Sequence, residues 1–236
     1  MKDIYGKGLL AYLNGDKNAV FAVESDMAET EEWPIETFFR TYKQMPQIEK
    51  LALNQVQGSV LDIGAGAGSH ILWLQERGVD ATAIDISPGA VEVMQRRGVK
   101  KVYQQDFFNY EGQKFDTLLM LMNGVGITGR LDRLPRFFAQ AKQLLSDKGK
   151  ILLDSSDIRY LFEEEEGDFI PDPDDPYYGE LKYSFHFDGE KGDFFDWLFI
   201  DFDTLSFWAD TAGFTCKKID EDKHFLYLAE LKRKRG

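Results

Sequence analysis

The sequence predicts an α/β domain built on a doubly wound, mainly parallel sheet. Two observations carry the prediction. Short apolar runs at 60–63, 81–85, 101–103, 115–122 and 150–154 alternate with stretches of helical spacing, the pattern left by strand–helix crossovers. The first run, Val60-Leu61-Asp62-Ile63, passes directly into Gly64-Ala65-Gly66-Ala67-Gly68-Ser69-His70, which places three glycines at alternate positions before a helix opens. A turn of this kind lets main chain approach a nucleotide-like ligand closely.

The spacing of the glycines narrows the ligand. A dinucleotide turn places its third glycine three residues after the second, with pyrophosphate at the helix N-terminus. Here the third follows after two, and Asp62 stands two positions ahead of the first, where a carboxylate favours a cation over a pyrophosphate. The run Asp62-Ile63-Gly64-Ala65-Gly66-Ala67-Gly68 resembles motif I of the class I S-adenosylmethionine (SAM)-dependent methyltransferases. The second strand, Ala81-Thr82-Ala83-Ile84-Asp85, ends in an acid about 20 residues on, the position of a ribose clamp, with Ile86 beside it. Ser87-Pro88 supplies an N-cap and first-turn proline for a helix that stops near Gly98. After a third strand at 101–103 comes Asp106-Phe107. The resemblance implies that this acid accepts from the adenine amino group and that its apolar neighbour lies against the ring.

Strand four, Phe115 to Met122, is almost continuously apolar, as a parallel strand covered on both faces should be. By the resemblance its end, at Met122-Asn123-Gly124, lies beside the methionine part of the cofactor. Leu134, Phe137, Phe138, Ala141, Leu144 and Leu145 form one helical stripe ending near Gly149, and 150–154 follows as strand five. A capped helix is expected from Asp203 to Gly213, then closing strands at 215–219 and 224–231, the last inserting antiparallel as the family's seventh. The expected architecture is therefore a seven-stranded, Rossmann-like methyltransferase sheet in a single domain, residues 1–236.

Two segments stand outside that frame. Pro34 to Leu53 reads as a helix, making residues 1–57 an N-terminal helical cap; the resemblance offers Arg40 and Tyr42 there as contacts to the cofactor carboxylate. Residues 158–202 form an insertion. Its first part, with eight acids between Glu163 and Asp175, is a solvated loop or part of a lid. Its second part alternates Leu181, Tyr183, Phe185 and Phe187 with polar residues, turns at Asp188-Gly189 and returns as a β-hairpin over 179–201. Most of its aromatics suit a core, and a minority, with Tyr177 and Tyr178, suit the wall of an acceptor pocket.

The resulting cofactor set is Asp62, Gly64, Ala65, Gly66, Gly68, Asp85, Ile86, Asp106, Phe107, Met122, Arg40 and Tyr42, and the cofactor is SAM, released as S-adenosylhomocysteine (SAH). Methyl transfer from a sulfonium is an in-line displacement that needs mainly orientation and exclusion of water. His70, in the first helical turn after the glycines, is a candidate base, while Asn123 and Asp154, at the ends of strands four and five, are candidates to orient the acceptor. No metal is expected. The Asn/Asp-Pro-Pro-Tyr pattern of enzymes that methylate exocyclic or amide nitrogens is absent after strand four, and no cysteine stands there to attack a pyrimidine.

Composition sets the outer limits. A net charge of -13 opposes nucleic acid as a partner. No apolar run is long enough to span a membrane, no signal segment opens the chain, and the single cysteine, Cys216, falls on a closing strand, so a reducing cytoplasm is expected. The reading is a methyltransferase acting on nitrogen or oxygen of a small molecule. Its alternative is a noncatalytic SAM-binding sensor or partner subunit, and the sequence sets no oligomeric state.

Overall fold

A computed structural model describes residues 2–27, 29–162 and 176–234. In chain order its elements are α1 (Ile4–Leu13), β1 (Val20–Ser25), β2 (Glu31–Pro34), α2 (Gln47–Gln55), β3 (Val60–Ile63), α3 (Ser69–Glu76), β4 (Ala81–Asp85), α4 (Pro88–Arg96), β5 (Val102–Gln104), β6 (Phe115–Met120), α5 (Leu134–Leu144), β7 (Leu145–Ser156), β8 (Glu180–Phe187), β9 (Glu190–Lys191), β10 (Phe195–Leu198), α6 (Phe202–Thr211), β11 (Phe214–Glu221) and β12 (Leu226–Arg233). The acidic run at 163–175, and with it the expectation of a lid, lies outside the described residues.

Seven strands form the main sheet in the order β11-β12-β7-β6-β3-β4-β5. The pairs from β7 to β5 are parallel, and β12 runs antiparallel to both β7 and β11. This is the doubly wound layout with an inserted last strand. Helix α5 lays Leu134, Phe137, Phe138, Ala141 and Leu144 on one face of the sheet with Phe214 and Tyr227. Helices α2 and α3 cover the other face through Ile48, Leu53, Trp73 and Leu74. Each fully buried ring or branched side chain contributes about 2 kcal/mol of apolar burial, so both layers are needed to hold the strands in register. The helix expected to end near Gly149 ends at Leu144, because Leu145 already pairs with Phe115 as β7 begins. Helix α6 is capped by Asp201 rather than Asp203, the Asp201 side chain accepting from Thr204 N.

A second sheet, absent from the sequence-based expectation, has the order β10-β8-β1-β2, with β9 paired to β8. The hairpin itself forms: Asp188 and Gly189 both have positive φ, the conformation of a tight Asp-Gly turn, and His186 pairs with Lys191. What the hairpin joins is the N-terminus, since β1 pairs with β8 at Val23↔Phe185 and with β2 at Phe21↔Trp33. The expected helical cap over 1–57 is corrected accordingly: it holds one strand pair, two short 3-10 turns at 35–39 and 42–44, and helices only at 4–13 and 47–55. Pro34 and Pro46 explain the break, because a residue preceding proline is driven out of helical conformation. Helix α1 crosses α4 at backbone contact, where a Cβ on Gly6 would lie 2.7 Å from Gly89 Cα. Asp3 fastens the crossing, its carboxylate accepting from Gly6 N, Gly89 N and Ser87 Oγ at 2.8–2.9 Å.

Candidate active site

At the carboxyl end of β3 the chain turns through Gly64, Gly66 and Gly68 with φ of 68°, 55° and 84°. The turn is pinned to β4: Gly64 N and Ala65 N donate to Ile84 O, and Gly66 N donates to Asp85 Oδ2 at 2.9 Å. Asp85 Oδ1 accepts from Ser87 N at 2.9 Å, so this carboxylate ties the two loops together and keeps a lone pair on each oxygen for a further donor. Burial pushes Asp85 up to about 6 against the opposing pull of the Ser87 and Gly66 amides.

Asp62 supplies the clearest electrostatic feature. It is buried at 2% exposure, and its Oδ2 has no hydrogen-bond partner among the described residues. Burial pushes its carboxyl up to about 6, with the charge of Asp85 adding and that of His70 opposing. A buried, unmatched acceptor beside a glycine turn that faces open space at Gly64 suits a cationic ligand of nucleoside size.

Beneath the turn lies a cluster missed at the sequence level. Glu49 is buried on α2; its Oε1 takes Arg40 Nη2 at 2.6 Å and its Oε2 takes His70 Nε2 at 2.8 Å. Burial works against the charged form of His70, but the Glu49 hydrogen bond and the charges of Asp62, Glu49 and Asp154 outweigh it and raise the imidazole pKa. Arg40 and His70 are thus both held on Glu49, which orients them beneath the turn. An acid beside the apolar stripe Ile48, Ala52 and Leu53 was the available signal for Glu49.

Asp154 and Asn123 are likewise structural ties. After β6 the chain puts two non-glycine residues, Met122 and Asn123, at φ of 63° and 56°. Asp154 holds this left-handed pair by accepting from Met122 N at 3.0 Å and Asn123 N at 2.7 Å. Burial and the charge of Glu49 push Asp154 up to about 7, with those two amides opposing. Asn123 Nδ2 donates to Leu198 O, and Ser155 Oγ donates to Asn123 Oδ1 while accepting from Ile200 N. Asn123 therefore fastens the turn to β10 of the second sheet, and Asp154 fastens it to β7 of the main sheet.

The structure places the remaining cofactor candidates as follows. Phe107 is 3% exposed and packed on Phe137, whereas Ile86 is 67% exposed. Asp106 accepts from Phe108 N and Asn109 Nδ2 as the cap of a short turn. Tyr42 stacks on Trp73 at 4.7 Å and takes Asn54 Nδ2 on its hydroxyl, which commits it to the outer side of α3. Met122 keeps 37% exposure at the mouth of the strained turn.

The second sheet roofs this crevice. At one end Phe185 meets Tyr5 at 5.5 Å, and the Tyr5 hydroxyl stands 2.7 Å from where a Cβ on Gly66 would be. At the other end Trp197 lies so close to Gly126 that a Cβ there would meet the indole at 2.2 Å. Register puts Phe21, Trp33, Tyr183, Phe185, Phe195 and Trp197 on one face of the sheet, toward the crevice.

Residues 38–217 match the model of a family described as a methyltransferase domain. The chain is 46% identical to a SAM-dependent methyltransferase from Bacteroides fragilis solved with SAH, over 99% of this chain and 96% of that one, with a TM-score of 0.93. More distant folds include the sugar N-methyltransferase KedS8 from a Streptoalloteichus species, 16% identical over 88% of this chain and 96% of that one with a TM-score of 0.56. Another is the SAM-bound amino pentose methyltransferase CalS10 from Micromonospora echinaspora, 14% identical over 87% and 99% with a TM-score of 0.60. Glycine turn, flanking acids, strand order and these similarities agree: the chain belongs to the class I SAM-dependent methyltransferases and is an enzyme that uses SAM.

Proposed function

We propose that the enzyme methylates a nitrogen or oxygen of a small-molecule acceptor held between the turn after β6 and the aromatic face of the second sheet. When bound, SAM supplies a methyl group on a positively charged sulfur. The protein's part is placement. Gly64, Ala65, Gly66 and Gly68 shape the cofactor seat, Asp62 faces its ammonium, Asp85 and Ile86 meet the nucleoside, and Asp106 bounds the adenine end. Met122 sits at the mouth of the acceptor space, fixed by Asp154.

The observation that carries the acceptor reading is the state of the roof. Trp33, Tyr183, Phe185 and Phe195 point inward from their sheet, yet each stays half-buried, which is the condition of side chains lining a gap. Glu31 takes Trp33 Nε1 at 3.0 Å, and burial together with Glu31 and Asp26 raises the Tyr183 phenol to about 12. An aromatic wall with acids at its rim attracts amines through cation-π and Coulomb terms. KedS8 and CalS10, by name enzymes of sugar nitrogen and amino pentose methylation, support nitrogen as the acceptor atom.

The test is a panel of small amines, alcohols, phenols and carboxylates scored by SAH release. Turnover of amines above the others is expected; activity confined to protein or nucleic acid substrates would overturn the proposal.

A further inference from the structure

Helix α1 lies outside the stretch that matches the family model, which begins at residue 38. It nevertheless brings a polar group into the cofactor crevice. The Tyr5 ring is clamped by three aromatics, Phe21 at 5.7 Å, Phe38 at 5.3 Å and Phe185 at 5.5 Å. That clamp leaves the hydroxyl over the glycine turn, 2.7 Å from a Cβ built on Gly66 and near enough to Asp85 to feel its charge. The side chain is half-buried, so part of it faces open space beside the turn. Its hydroxyl has no hydrogen-bond partner among the described residues.

The turn makes that donor valuable. Four of its amides already have partners within the protein: Gly64 and Ala65 on Ile84 O, Gly66 on Asp85, Gly68 on Ala65 O. Arg40, the cation proposed for the cofactor's anionic end, gives one of its amino groups to Glu49 at 2.6 Å. Asp62 and Asp85 offer acceptors and no donor. A ligand carrying both an ammonium and oxygen acceptors thus finds acceptors on the sheet side of the crevice and the Tyr5 hydroxyl as a donor on the α1 side.

We infer that Tyr5 is a cofactor-binding residue, its hydroxyl donating to an oxygen of bound SAM or SAH, so that α1 forms a wall of the cofactor site. The inference rests on the placement of the cofactor across the glycine turn given above and is independent of the acceptor. The oxygen belongs either to the amino-acid carboxylate or to the ribose, both of which present the same acceptor chemistry. Asp3 sets the height of the hydroxyl above the turn, because it bolts α1 to Ser87 and Gly89 of α4, and the bare backbone of Gly6 and Gly89 lets the helices close to contact.

The experiment is calorimetric titration of Tyr5→Phe and the wild type with SAH and with 5′-methylthioadenosine, which keeps the nucleoside and lacks the amino-acid part. The variant is expected to bind SAH about tenfold more weakly, the effect of one hydrogen bond to an anionic or strongly polar oxygen. Unchanged methylthioadenosine affinity assigns the contact to the carboxylate; equal losses assign it to the ribose. Wild-type SAH affinity in Tyr5→Phe overturns the inference. Hydrogen exchange on the wild type keeps the test independent of how the variant folds: SAH should slow amide exchange in α1, and unchanged exchange there also overturns it. Asp85→Asn separates the two readings. If it binds SAH like the wild type, the placement across the turn fails; if it binds weakly while Tyr5→Phe does not, only the role of Tyr5 fails.

Discussion

The crevice has two walls built from opposite materials. The ends of β3, β4 and β7 bring three buried carboxylates, Asp62, Asp85 and Asp154, to one side, each lifted above its ordinary range by burial. The roof is aromatic, made of β1, β2, β8 and β10, with its acids and lysines on the far face or at the rim. In the reading proposed above, the carboxylate wall meets the charge and sugar that every SAM molecule carries, and the aromatic roof meets an acceptor by shape and polarisable surface. Tyr5 links the two walls at one end and Asn123, through Leu198 O, links them at the other.

Substitutions that act on one wall and spare the other test this division. The largest effect is expected from Gly66→Val: a β-branched residue at φ of 55°, with its Cβ 2.7 Å from the Tyr5 hydroxyl, should cost about 3 kcal/mol, more than a hundredfold in SAH affinity by calorimetry. Trp197→Ala strikes the roof. Losing a half-buried indole should lower stability by about 2 kcal/mol and cut acceptor turnover several-fold, while SAH affinity stays close to wild type. Equal losses of turnover and SAH affinity would erase the division. Asp62→Asn removes the charge and keeps the shape; about tenfold weaker SAH binding is expected, read by the same titration.

Protonation sharpens the contrast further. Because Asp62 must be ionised to face an ammonium, and its carboxyl lies at about 6, SAH affinity should fall by about fourfold between pH 7.5 and 5.5. Ligand-free stability should move the other way. Carboxylates whose folded pKa is raised bind more protons folded than unfolded, so Asp62, Asp85 and Asp154 favour the fold increasingly as pH drops from about 7 toward 4. His70, also raised, adds stability that is present below its ordinary value and lost as pH rises through the folded one. A thermal midpoint that rises as SAH affinity falls is the expected signature; parallel loss of both contradicts it. The smallest effect belongs to Asp3→Ala, about 1 kcal/mol of stability from a lost helix cap, with α1 exchanging its amides faster.

The carboxylate wall was legible in the chain because its parts obey local rules. A strand ending, a glycine turn and an acid about 20 residues on all lie within single crossover units, and the period of apolar residues places them at the same sheet edge. The roof was not legible, because Phe21 and Phe185 meet across 164 residues and nothing in the alternation of either segment names its partner. Side-chain roles divide along the same line. Residue type and spacing put His70, Asn123, Asp154 and Arg40 near the crevice, but a hydrogen bond is a matter of tenths of an ångström. Which of them is free and which is tied follows from Glu49, Ser155 and Leu198, elements apart in sequence. The sequence by itself determined the sheet, the turn and the class of ligand, through periodicity and the conformational demands of glycine. Only the tertiary structure decided what roofs the site and which polar groups inside it remain unmatched, because those depend on long-range contacts that local propensity does not encode.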